Sequence, residues 1–103
     1  MKGIGNLQKM LKSAQEMQGK IQKEMAEMRV EGSSGGGMVS VILDGTKNLH
    51  SLKIDSEVVN KEDVEMLQDL ITAAFNDAGA KVDENMKEKL GAMGAGLNIP
   101  GLF

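Results

Sequence analysis

Met38-Val-Ser-Val-Ile-Leu-Asp44-Gly45-Thr-Lys-Asn-Leu49-His-Ser-Leu-Lys-Ile-Asp55 is the stretch that decides the fold. From Met38 to Asp44, Val39, Val41 and Leu43 fall on one side and Ser40 and Asp44 on the other, the two-residue period of a half-buried strand. Leu49 to Asp55 alternates again, with Leu52 and Ile54 to one side, and Asp44-Gly45 opens a tight connection of the hairpin type. Upstream, Met28 to Ser33 reads as a further strand and Ser33-Ser-Gly-Gly-Gly37 as a turn. The glycines lack the Gly-Lys-Ser/Thr ending of a phosphate loop and precede a strand, so they read as a hairpin loop with unusual backbone angles. Three short strands with short connections predict an antiparallel meander.

Outward from the strands the period changes to that of helices. From about Asn6 to about Met28, the residues Leu7, Met10, Leu11, Ala14, Met17, Ile21, Met25 and Met28 recur at spacings of three and four, filling a stripe of roughly 120°. Glu24 interrupts the heptad series of Met10 and Met17, so this is no long coiled coil. A second helix is expected to start near Asn60 as its cap, with Glu62 and Asp63 in the first turn. Its apolar stripe is Val64, Leu67, Ile71, Ala74, Phe75, Ala78, Val82 and Met86, widened by Leu70. Gly79 inside that stripe costs about 1 kcal/mol relative to Ala and marks a point for a kink. Residues 1–90 are thus expected to form one α+β domain in α-β-β-β-α order, and residues 91–103 a Gly-rich flexible tail.

Composition narrows the classes of function. The 103 residues include no cysteine, which excludes disulfides and thiolate metal sites. No apolar run reaches the roughly 18 residues of a membrane span, and the polar residues Asn6, Gln8, Lys9 and Lys12 stand where a signal peptide would be apolar. A cytoplasmic protein that engages no membrane is expected. The net charge is −3, yet through Lys23 five lysines face Glu16 alone, a balance of +4 that leaves −7 on the remainder. Such asymmetry points to an anionic partner for the basic segment.

On the wheel of the first helix, Lys9, Lys12, Lys20 and Lys23 lie opposite the apolar stripe within an arc of about 80°. Lysines about a turn apart can follow phosphates. The competing reading is a solvated face paired within itself, since Lys12–Glu16, Glu16–Lys20, Lys20–Glu24 and Lys23–Glu27 are all four residues apart. Gln8, Gln15 and Gln22 border this face, where Gln is first of all a good helix former. His50, the only histidine, reads as a strand-surface residue, and Glu57, Glu62, Asp63, Glu65 and Asp69 as a helix start with its wet face. No catalytic set, metal site or cofactor site emerges, and neither an enzyme nor a small-molecule substrate is expected. Of the nine methionines, most fit the helix stripes as packing residues.

A helix of about 23 residues is about 35 Å long, whereas strands of about six residues span about 20 Å. The sheet cannot cover all of it, so Leu7, Met10, Leu11, Ala14, Met17 and Ile21 must be covered by the second helix or by a second subunit. A twofold homodimer is the commonest such arrangement.

Glu31-Gly-Ser-Ser-Gly-Gly-Gly-Met-Val39, Leu52-Lys-Ile-Asp55, Glu62-Asp-Val-Glu-Met-Leu-Gln-Asp-Leu-Ile71 and Ala73-Ala-Phe-Asn-Asp77 closely resemble the signature stretches of the YbaB/EbfC family. The first helix, with Met17-Gln18 and its alternating Lys and Met, resembles that family's first helix. The resemblance implies a protomer that dimerises into a tweezer-like body with projecting helices. It also implies bacterial nucleoid-associated binding of double-stranded DNA, altering DNA conformation and influencing transcription. The family's DNA contacts are carried mainly by the projecting helices, which implies Lys9, Lys12, Lys20 and Lys23 here, with Lys87 and Lys89 of the last helix second. The alternative is a protein-interaction module that docks its partner through the helix stripes and the end Ile99-Pro-Gly-Leu-Phe103, with incidental DNA binding.

Overall fold

The alternating stretch forms the centre of a sheet. In the computed structural model, which describes residues 2–94 and the side chains of 5–91, β1 spans Val30–Ser34, β2 Val39–Leu43 and β3 Leu49–Ile54. The strands pair antiparallel in the order β1-β2-β3, with Val41 opposite Gly32 on one side and Leu52 on the other. Helix α1 (Lys2–Glu27) precedes the sheet and α2 (Val64–Gly94) follows it, giving the expected α-β-β-β-α order. Between β1 and β2, Gly35, Gly36 and Gly37 take φ of 60°, 68° and 95°, angles open to glycine at little steric cost.

The core lies between α2 and one face of β1 and β2. Val30, Val39, Val41, Leu43, Val58, Ala74, Ala78 and Val82 are buried there, with Met28, Met38, Leu67, Leu70, Ile71 and Met86 packed around them. Small residues set the distance between the layers. A Cβ on Gly32 would overlap the Ala78 backbone and stand 2.6 Å from Ala74 O. The helix therefore rests directly on the β1 backbone. Two polar contacts hold it in register, Ser34 Oγ donating to Leu70 O at 2.5 Å and Ser33 N to Asp77 Oδ2 at 3.0 Å.

That seating corrects several expectations. Helix α2 covers β1 and β2 but not β3, so Phe75 and Val64, at the margin of its stripe, stay exposed. Its cap is Asp63, whose carboxylate accepts from Met66 N at 3.1 Å; Asn60 instead accepts from Glu62 N at 2.9 Å in a turn ahead of the helix. Accordingly Glu62 and Asp63 precede the first turn, which carries Glu65. Helix α2 runs through Gly79 without a break. The packing of Ala74, Ala78 and Val82 on either side outweighs the local glycine penalty of about 1 kcal/mol. It also continues to Gly94, past the expected domain boundary at residue 90. The remainder of the expected tail, 95–103, lies outside the described residues.

No Gly or Pro stops α1; its end is closed partly by the neighbouring Arg29 and partly by a distant turn. Arg29 Nη1 donates to Ala26 O and Met28 O, both at 2.8 Å, and Gly45 N donates to Met25 O at 2.8 Å. These donors satisfy carbonyls that a helix end leaves open.

Gly32→Ala forces β1 and α2 apart and is expected to cost about 3 kcal/mol, the upper part of the overpacking range. Denaturant unfolding should show a lower midpoint with an unchanged slope, whereas an unchanged midpoint would contradict the close seating.

Candidate nucleic-acid interface

Helix α1 projects from the body. Residues 5–20 are exposed throughout, and only Ile21, Glu24, Met25 and Met28 are half-buried against the rest of the chain. The protein measures 73 × 22 × 16 Å as a result. Leu7, Met10, Leu11, Ala14 and Met17 are exposed and lie outside the protomer core, and α2 does not cover them.

Lys9, Lys12, Lys20 and Lys23 are exposed along the other face of this arm. Among the described residues none of the four forms an ion pair; the expected pairs with Glu16, Glu24 and Glu27 are not made. Glu24 turns instead to Lys89 of α2 at 3.5 Å. Lys9 to Lys23 covers about 21 Å of helix, a length over which duplex DNA presents about twelve phosphate charges.

The two α2 lysines differ. Lys87 is exposed on the side of α2 turned from the sheet, whereas Lys89 lies near the core stripe and closes on Glu24 across a groove lined by Glu27, Met28, Asn85 and Glu88. The structure thus groups the four α1 lysines but does not join Lys89 to them.

The β2–β3 turn held more than its sequence reading gave it. Asp44, expected on the solvent side with Ser40, is buried where β2 passes into the turn; beside it the pairing with β3 slips by one residue, from Ile42 opposite Ser51 to Leu43 opposite Leu49. Its Oδ1 accepts from Thr46 N (2.8 Å), Thr46 Oγ1 (2.7 Å) and Asn48 N (3.0 Å), and its Oδ2 from Asn48 Nδ2 (3.2 Å). His50 Nε2, expected simply at the strand surface, sits 2.8 Å from the same Oδ2. The signal was available in the spacing, since Asp followed by Thr at two and Asn at four places polar donors around one carboxylate. These bonds, led by those of His50 and Thr46, hold the Asp44 carboxyl well below the usual carboxylate range. Asp77 is lowered too, first by the Ser33 amide and then by Lys81.

Among the described residues no cluster of His, Asp and Glu could hold a metal ion. None of the described helices is long and apolar enough to cross a membrane.

The sequence and the fold resemble those of known proteins. The model of the YbaB/EbfC DNA-binding family matches residues 1–97. The chain belongs to that family. A nucleoid-associated protein of Geobacillus kaustophilus is 56% identical over 104 residues, covering 98% of this chain and 96% of that one. One from Exiguobacterium sibiricum is 48% identical over 106 residues, covering both chains fully. The crystal structure of an uncharacterized protein from Helicobacter pylori superposes with a TM-score of 0.72 at 31% identity, over 84% of this chain and 91% of that one.

Asp44 supplies a pH signature. A carboxylate lowered on folding stabilises the fold above its unfolded value, near 3.8, and that contribution is lost as pH falls through the lower folded value. The melting temperature of Asp44→Asn should therefore lie below that of the wild type by a constant gap above about pH 5, narrowing below about pH 4. A gap independent of pH would contradict this account.

Proposed function

We propose that this YbaB/EbfC family protein is a nucleoid-associated, DNA-binding homodimer that grips the backbone of double-stranded DNA with its α1 arms. The observation that carries the reading is the row Lys9, Lys12, Lys20 and Lys23, exposed on a projecting helix and unpaired among the described residues. Phosphate contacts of this kind give affinity with little sequence information. A modest preference arises from DNA shape, and the held DNA is altered in conformation, which is a route to effects on gene expression. Relatives named nucleoid-associated proteins support the same assignment.

Exposed apolar surface supports the second copy. Leu52 and Ile54 of β3 stand opposite the buried Val41 and Val39, on the same face of the sheet, at the one strand that α2 does not cover. Phe75 is exposed on the flank of α2 beside Lys47, and the α1 stripe adds Leu7, Met10, Leu11 and Met17. Apolar area of this extent marks an interaction surface, and a self-complementary contact is its commonest occupant.

A dimer making about six phosphate contacts should bind with log K falling against log salt at a slope of about −5. Lys9→Glu with Lys12→Glu should weaken mobility-shift binding by about a hundredfold or more and flatten that slope, while light scattering still reports a dimer. A dimer that binds no DNA at low salt would overturn the assignment and favour the protein-interaction module. Leu52→Lys with Ile54→Lys is expected to yield a monomer by the same light-scattering measurement; an intact dimer would move the interface elsewhere.

A further inference from the structure

We infer that the β2–β3 turn is the joint that fixes the direction of α1, which makes Asp44 and Gly45 positioning residues for the lysine face although neither lies on it. The consequence for DNA rests on the proposed function; the joint itself does not.

Only the last two turns of α1 touch the body. One attachment is the Glu24–Lys89 pair, 3.5 Å apart with both side chains more than a third exposed, an interaction of little strength or stiffness. A second, beside the packing of Met28 against the core, is of a different kind. Gly45 is buried and its N–H donates to Met25 O at 2.8 Å. A Cβ on Gly45 would stand 2.8 Å from Met25 Cα and 2.9 Å from Met25 O. Two backbones therefore meet with no adjustable side chain between them, and the helix cannot swing without breaking the contact.

The turn that presents Gly45 is itself held in one shape. The buried Asp44 carboxylate gathers the donors of Thr46, Asn48 and His50, while Asp44 N and Asn48 O pair at 3.0 Å. Lys47 is kept at φ 65°, a left-handed angle that a residue with a side chain rarely adopts. From there its Nζ reaches Asp83 of α2 at 3.0 Å. The turn thus touches α1 through Gly45, α2 through Lys47 and the sheet through its own strands. Thr46 also lines the groove beside Ile21, Gln22 and Met25, on the inner side of the arm.

The test needs no removal of native thiols, because the chain has no cysteine. Spin labels at Ser13→Cys on the arm and Ala73→Cys on the exposed side of α2, diluted with excess unlabelled chain, read the distance within one protomer by pulsed dipolar spectroscopy. A single narrow distance is expected for the otherwise wild-type chain. Gly45→Ala should shift that distance and Asp44→Asn should broaden it. Each should weaken DNA binding at least fivefold in mobility shifts, with every lysine in place and the dimer retained.

A fold-stabilising role alone would lower the melting temperature and leave the distance in the folded protein unchanged. A broad distribution in the wild-type background overturns the joint whether or not either variant folds, and so does an unchanged distribution in both folded variants. Distances that respond as expected in a protein that binds no DNA uphold the joint and remove the DNA reading instead.

Discussion

The seat of α2 on the β1 backbone governs the rest of the architecture. Gly32 offers no side chain, and Ala74 and Ala78 offer the smallest ones, so helix and strand meet almost backbone to backbone. Such a contact is narrow. It permits one lateral position, over β1 and β2, and Ser34 and Asp77 fix the sliding coordinate with hydrogen bonds to the opposite element. The third strand is left with an apolar face beyond the reach of α2. What the protomer lacks in covered surface follows from how closely α2 sits.

The regular elements were legible because their signal is periodic. Alternation gave β2 and β3, and three–four spacing gave both helices with boundaries in error by a few residues. What escaped were features that depend on contact between distant segments. The end of α1 carries no glycine or proline stop and is closed in part by Gly45, twenty residues away from Met25 in sequence. Helix α2 keeps its course through Gly79 because burial of its neighbours outweighs propensity. Asp63 took the cap from Asn60 since both are good cap residues three apart, and only the course of the preceding chain chooses between them. On the candidate interface, the lysine arc followed from helix geometry alone. The redirection of Glu24 to Lys89 did not, because it needs the meeting of two helices.

The charge of the whole chain is a poor guide to its surface. A net charge of −3 conceals a basic arm carried on an acidic body. The acidic residues gather around the start of α2, with Glu57, Glu62, Asp63, Glu65 and Asp69 all exposed. In the proposed role this separation favours one orientation of approach to a polyanion, arm first, since the body is repelled at distances of the order of the Debye length, about 8 Å at physiological salt.

The length of α1 has a consequence of leverage. Its 26 residues make a rod of about 39 Å. A rotation of about 10° at its root carries the tip about 7 Å, roughly two phosphate repeats along one strand of duplex DNA at about 3.4 Å each. Small rearrangements near Met25 are thereby magnified into whole-step changes in what the tip can touch. A change of one methyl group at the root can thus alter the reach of side chains on the outer turns, with no alteration in their chemistry.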